Sequence, residues 1–354
     1  MKDRRKNLLK YAQKIDCDTL VTFEPENLFY MTGFWGEAIG ILEKGEKTSI
    51  IAPELEVGRA KEESENCEVI TADRGTGLIA ALIDNVKKKK VCTDCQNYSI
   101  MTSLKKSIPT IKSSAETFYN SRIIKDEKEL NILKKGSKII DEMYEICSKK
   151  MKIGQTESEL QAILMSYAMG EKMFDTGYKS TLNPLIIAGG PNGALPHAQV
   201  TDRKFKKGDL VVVDLTLRYK GYVSDATRTF AIGKISPQEK KIYEIVKESQ
   251  KLGLESVKPN VNCKDIDFAC RNYIEEQKYG EYFIHSTGHG IGLEVHELPT
   301  VSSKSDMKLK ENMAITVEPG IYIPNKFGIR IEDSLIVKEK PVIMHKFTKE
   351  LITI

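Results

Sequence analysis

The sequence predicts an α+β chain in two parts: a smaller α/β domain over residues 1–122, then an α+β domain over residues 123–354. Three observations carry this. The first third alternates short apolar runs with helical stretches, the pattern of strands and helices that share one sheet. From residue 126 onward, successive helix starts carry matched capping residues. Between and after those helices, apolar runs flank turn residues, as antiparallel strands do.

Composition bounds the function. Hydrophobic residues make up 40% and charged residues 29% of 354, a globular balance that excludes a disordered or fibrous chain. A net charge of +4 over this length gives no electrostatic footprint for nucleic acid. No apolar stretch approaches the ~20 residues of a membrane helix, and no apolar segment follows the charged start, so neither a membrane span nor a signal peptide is expected. Seven scattered Cys are not a disulfide framework and point to a reducing, cytoplasmic compartment. Cys92 and Cys95 form a single C-x-x-C with no second pair, which reads as structural.

Taken in order, Thr19–Phe23, Ala38–Leu42 and Ser49–Ile51 read as strands, Leu78–Val86 as a helix, and Val91 as the start of another strand. Lys87–Lys90 between them is a solvated connection. A polar stretch from Lys112 to Ser121 leads to Asp126 and Glu129, a capping box. Leu130, Leu133, Ser137, Ile140, Tyr144 and Cys147 then form one inward face, closed by Gly154. Thr156 with Glu159 opens a second helix, Ser236-Pro237-Gln238-Glu239 a third, and Asn262 with Asp265 a fourth. Strand runs are Leu185–Ala188, Leu210–Leu217, Tyr222–Ile232, Met313–Val317 and Ile329–Val337.

Two hairpins carry acids in their strands. The midpoint of Asp214 and Asp225 falls in the turn at Tyr219–Gly221, so the two side chains share a face, even with the register moved by two. Three consecutive Val before Asp214 indicate an interior strand. Glu318 and Glu332 are centred on Asn325 and therefore face each other from neighbouring strands. Like charges so placed repel, and something positive should lie between them.

His285-Ser-Thr-Gly-His289-Gly-Ile-Gly-Leu-Glu-Val-His296 places three of the five His within twelve positions. Gly288, Gly290 and Gly292 argue against a helix and for a tight loop whose backbone approaches something closely. Four carboxylates and a neutral imidazole balance two divalent cations. Oxygen-rich ligation favours manganese(II), with cobalt(II), iron(II) and zinc(II) as alternatives.

The set Asp214, Asp225, His289, Glu318 and Glu332 resembles the dinuclear site of the pita-bread metallopeptidases. The flanking H-S-T-G-H-G-I-G-L-x-V-H-E, V-E-P-G-I-Y, R-I-E-D and Thr-Arg-Thr motifs are similar to those of the Xaa-Pro aminopeptidase and prolidase (Xaa-Pro dipeptidase) branch. This resemblance covers residue 122 to the C-terminus. Asn27-Leu-Phe-Tyr-Met-Thr-Gly-Phe34 in turn resembles the creatinase-like N-terminal domain of that branch. Methionine aminopeptidases share the five ligands but lack such a domain. A catalytically inactive peptide- or protein-binding relative, or a metal-free creatinase-like hydrolase, would not keep all five.

The resemblance implies a pita-bread catalytic domain and hydrolysis of the Xaa-Pro bond of short peptides by metal-activated hydroxide. Asp225 and Glu332 would bridge two metal ions, Asp214 would hold one, and His289 and Glu318 the other. Glu318 would pass a proton to the leaving imino nitrogen, and His296 would hydrogen-bond the oxyanion. His197 and His285 would line the substrate pocket, and Arg330 would support the acids. His345 lies outside every motif. A homodimer is also implied, with N-terminal domains that restrict access to short peptides. Two positions depart from the family: Thr216 stands where Gly is common, and Thr300 where several prolidases carry an Arg that pairs with a dipeptide's carboxylate.

Overall fold

In the computed structural model, which describes residues 1–354, the chain forms two units, Met1–Arg122 and Ile123–Ile354. The first contains α1 (Lys2–Lys14), β1 (Thr19–Thr22), α2 (Pro25–Thr32), β2 (Ile39–Glu43), β3 (Thr48–Pro53) and α3 (Glu54–Glu63). It continues with β4 (Glu68–Ala72), α4 (Thr76–Val86), β5 (Val91–Thr93), α5 (Tyr98–Ser107), β6 (Lys112–Ser113) and α6 (Ala115–Arg122). The six strands make one mixed sheet in the order β4-β3-β2-β1-β5-β6, an α/β arrangement. Its apolar residues Val21, Ile41, Ile51 and Val91 pack with Leu82 and Val86 of α4 and Leu104 of α5.

The polar run from Lys112 to Ser121 forms β6 and most of α6. Its hidden face is made of Thr117, Phe118, Ser121 and Arg122, so apolar periodicity does not reveal it. The backbone carbonyl of Ser121 accepts from Asn7 Nδ2 at 2.9 Å and Tyr30 Oη at 2.8 Å. Lys87, Lys88 and Lys90 are exposed in the α4–β5 connection, and all seven Cys are free thiols.

The second unit runs α7 (Glu127–Lys150), α8 (Glu157–Gly170), β7 (Met173–Phe174), β8 (Ile186–Gly189), a 3₁₀ turn at Gly190–Ala194, β9 (Leu210–Tyr219) and β10 (Tyr222–Ala231). There follow α9 (Pro237–Ser256), α10 (Cys263–Glu276), β11 (Gly288–Gly290), β12 (Glu297–Val301), β13 (Ala314–Val317), β14 (Gly320–Ile323), β15 (Phe327–Arg330), β16 (Glu332–Ile336) and β17 (Val342–Ile343). Capping boxes open α7, α8 and α9, each with the reciprocal pair of bonds. At α10 the helix forms, but Asn262 does not cap it; its Nδ2 donates instead to Asp265 Oδ2 at 3.3 Å. The α7 helix ends at Met151, and Gly154 lies just beyond in a turn at φ +82°.

An antiparallel sheet in the order β12-β11-β13-β16-β10-β9-β7 is the frame of this unit, with β8 on β9 and β17 on β16. One face is apolar. Val211, Val213, Leu215 and Leu217 pack with Ile140, Tyr144 and Cys147 of α7 and Leu160 and Leu164 of α8. Farther along the same face, Ile315, Val317 and Leu335 pack with Val246 and Leu254 of α9 and Ile266 and Cys270 of α10. Each such fully buried aliphatic side chain contributes roughly 1.5–3 kcal/mol. Side chains alternate along a strand, so the residues between these apolar positions all face the other way. No helix is long and apolar enough to cross a membrane.

Candidate metal centre

The far face of that sheet is polar, and five consecutive strands build it. The β9–β10 hairpin turns on Lys220 and Gly221, both at positive φ, and pairs Tyr219 with Tyr222. Asp225 therefore lies opposite Thr216, and Asp214 opposite Thr227. The two aspartates are diagonal neighbours on one face, with the register moved by two from direct opposition. Glu332 opens β16 and pairs with Thr227.

Glu318 follows β13 directly. The β13–β16 ladder pairs Val317 with Asp333, and the β14–β15 hairpin pairs Gly320 with Arg330. Both ladders keep Asn325 as their centre, so Glu318 and Glu332 stand level in the interruption between them. Pro319, lacking an N–H, helps to break the pairing there.

His289 is not in a loop. It is the middle residue of β11, which pairs with β12 on one side and β13 on the other. The glycines permit this: a Cβ at Gly288 would meet Thr316 O at 2.1 Å, and one at Gly290 would meet Leu298 O at 2.3 Å. The close approach is to neighbouring strands. His289 Nδ1 lies 3.0 Å from Gly290 O. Donation to that carbonyl puts the ring proton on Nδ1 and leaves the Nε2 lone pair free. Nε2 faces Glu318 Oε1 at 3.4 Å and Asp225 Oδ2 at 3.8 Å.

One buried cation borders the cluster. Arg330 donates from Nη2 to Asp214 Oδ2 at 2.6 Å, from Nε to Thr227 Oγ1 at 3.0 Å, and from Nη1 to Tyr322 Oη at 2.7 Å. Thr227 Oγ1 donates to Glu332 Oε2 at 2.7 Å. Tyr322 Oη lies 2.9 Å from His285 Nε2, while His285 Nδ1 lies 2.8 Å from Ser286 O. His285 thus accepts from the tyrosine and is neutral, its pKa pushed down to about 3 by burial and by Arg330.

His296 sits at the exposed rim with its ring 4.4 Å from that of His289 and 5.3 Å from Tyr178, edge-on to both. Loss of water and the nearby His197 lower its pKa. His197 is exposed beyond the 3₁₀ turn. His345 is buried elsewhere, 3.5 Å from Asp141. The site thus gathers all nine residues singled out in the sequence. Thr227 and Tyr322 join them unannounced, as do Thr316, whose Oγ1 accepts from His289 N at 3.1 Å, and Ser334, whose Oγ donates to the Asp225 carbonyl at 2.7 Å. A two-residue step from Asp225, Glu318 and Glu332 would have found the three hydroxyl residues Thr227, Thr316 and Ser334. Tyr178 has no sequence signal.

Arg330 pairs with Asp214 alone, and the other three acids have no cation of their own. Burial, then Asp214 and Glu318, push Asp225 well above the usual carboxylate range. Burial, then Asp225, do the same to Glu332. Burial raises Glu318 to about 8, and burial lowers His289 to about 3. Glu332 Oε1 is buried with no hydrogen-bond partner. Donor atoms of Asp225, His289 and Glu332 all lie within 4.8 Å of one another. An oxygen-rich set with one imidazole, an orphaned carboxylate oxygen and mutual repulsion suits hard or borderline divalent cations.

A polar, acid-lined sheet face of this kind defines a candidate divalent-cation site. Residues 131–339 match metallopeptidase family M24, and residues 4–124 match the Creatinase/Prolidase N-terminal domain. The chain belongs to metallopeptidase family M24, with the pita-bread catalytic fold. It is 39% identical to a Xaa-Pro dipeptidase of Pyrococcus horikoshii, over 99% of both chains. The fold superimposes on a Xaa-Pro dipeptidase from Bacillus anthracis with a TM-score of 0.91, at 32% identity, covering 100% of this chain and 99% of that one. An X-Pro aminopeptidase from Thermotoga maritima gives 0.88 at 29% identity, over 99% of both.

Proposed function

We propose that this chain hydrolyses the Xaa-Pro bond of short peptides, with two divalent cations, manganese(II) foremost, held by Asp214, Asp225, His289, Glu318 and Glu332. The observation that supports the reading is that adjacent strands present these residues on one polar face, where donor atoms of Asp225, His289 and Glu332 lie within 4.8 Å of one another and a buried Glu332 oxygen has no partner. Divalent cations there would supply a water of lowered pKa.

The rest falls to the protein. Glu318, a half-buried acid beside His289, accepts a proton and returns it to the leaving nitrogen. Neutral His296 donates to the developing oxyanion. His197 and His285 line the substrate side, and Arg330 keeps Asp214 in place. Proline's nitrogen carries no N–H, so a shaped pocket must replace the backbone bond that other peptide substrates offer.

Thr300 lies opposite His289, exposed and uncharged. A threonine offers no cation to a dipeptide's terminal carboxylate, which supports cleavage of peptides longer than two residues. We further propose a cytosolic homodimer whose N-terminal and catalytic domains divide at residues 122 and 123.

The test is a panel of Ala-Pro, Ala-Pro-Xaa and longer peptides with added manganese, alongside metal analysis of the purified protein. Cleavage before proline in both short and longer peptides, lost on chelation, is expected. No bound metal with activity indifferent to chelator sinks the metallopeptidase reading, and cleavage of dipeptides alone overturns the subtype. Sedimentation analysis checks the dimer.

A further inference from the structure

Thr216 stands between the two aspartates of the β9–β10 hairpin. Its Oγ1 lies 2.8 Å from Asp225 Oδ1 and 3.1 Å from Asp214 Oδ1. Strand geometry explains both reaches, because Thr216 is directly opposite Asp225 and two residues along from Asp214 on the same face. Asp214 Oδ2 is meanwhile held by Arg330. The single Thr216 hydroxyl thus lies within hydrogen-bond reach of the second oxygen of Asp214 and of one oxygen of Asp225.

We propose that the Thr216 hydroxyl is a positioning group for the metal centre: it holds Asp214 and Asp225 in their binding rotamers before a cation arrives and raises affinity for the first ion bound. This rests on the metal-centre reading above. Two like-charged side chains diagonal across a hairpin repel, and each gains by swinging away when nothing lies between them. A hydroxyl answers this because it can donate to one carboxyl while accepting from a protonated other, or donate to either when both are ionised. Rotamers ordered in advance need not be ordered at the expense of binding. Loss of a group hydrogen-bonded to metal ligands typically lowers metal affinity 10–100-fold.

Thr216→Val keeps the β-branched shape of an interior strand and loses the hydroxyl, whereas Thr216→Ser keeps the hydroxyl. Metal-stripped wild type and both variants would be titrated calorimetrically with Mn²⁺ and, in parallel, Co²⁺. Melting of the metal-free proteins is followed by circular dichroism, and Thr216→Ala replaces the Val variant should that fail to fold. We expect T216V to bind the first ion roughly 10-fold or more weakly, and T216S to bind it as wild type does. Wild-type affinity in a folded T216V overturns the proposal and leaves the metal centre standing. T216S as weak as T216V assigns the loss to packing and also overturns it. Wild type that binds neither ion overturns both readings.

Discussion

Arg330 and Asp214 form a 2.6 Å ion pair in which the guanidinium is 3% exposed. Burial works against the charge of Arg330, yet Tyr322, Asp214 and Glu318 together hold its pKa well above the usual value. The same side chain donates to Thr227, Tyr322 and the Pro196 carbonyl, so its planar fork sets several groups at once. A lysine ammonium is a point charge and cannot reproduce that fork. Arg330→Lys should lower kcat/KM by about 10-fold or more and weaken metal binding, as steady-state kinetics and calorimetry would read. Unchanged values in both would remove Arg330 from the site's support.

Asp225→Asn should abolish turnover and lower the metal content found by elemental analysis. The metal-free variant should nevertheless melt at or above the wild-type temperature. Its surroundings already favour the protonated acid, and an amide resembles that state while removing one charge from a repelling cluster. Full activity would refute the assigned ligand set.

The metal-free protein should lose stability as pH rises from about 6.5 to 8. Glu318 is raised to about 8, and Asp225 and Glu332 are raised well above their usual range. In this window the folded chain binds more protons than the unfolded chain, so the slope of unfolding free energy with pH is negative. His285 and His289, lowered to about 3, and His296, also lowered, titrate in the unfolded chain near 6.5 and act in the opposite sense, an effect half spent at that pH, nearly gone about one unit above it, and outweighed by the three raised acids. Manganese should flatten the decline, because cations replace protons between the carboxylates. Thermal melts with and without metal check this; a melting temperature that rises from pH 6.5 to 8 without metal contradicts it.

Behind the sheet, Arg228 donates to Asp333 at 2.8 Å with both side chains buried. Its Nη1 also donates to the carbonyls of Thr227 and Glu332, the two residues whose side chains meet on the site face. Lys349 and Gln250 complete the shell around Asp333. Asp333→Ala would leave Arg228 buried without its partner and should cost about 3–5 kcal/mol, measured by urea unfolding. A loss below about 1 kcal/mol would show that the pair is not integral to the fold.

Some elements were legible because their causes are local. The capping boxes at Asp126, Thr156 and Ser236 lie within four residues of the helices they open. The paired faces of Asp214 with Asp225, and of Glu318 with Glu332, follow from turn position and two-residue alternation. Other elements were not legible. The hidden face of α6 is largely Thr, Ser and Arg, and α1 buries Arg4 and Arg5 beside Leu8 and Leu9. Arg5 is satisfied by carbonyls as distant in sequence as Met31 and Asn66, so no local pattern announces that it is inside.

His289 marks the limit. Its glycine neighbours signalled close backbone approach, but what approaches is a pair of strands, not a ligand. Sequence alone could say which acids share a face within each hairpin, because strand period and turn geometry are short-range. It could not say that β16 lies beside β10, or β11 beside β13. Those adjacencies join residues as far apart as Thr227 and Glu332, and they are decided by the helices packed behind the sheet. Two acid pairs and a histidine were readable in the chain; their meeting within a few ångströms is a product of the assembled core, whose burial outweighs the repulsion it creates.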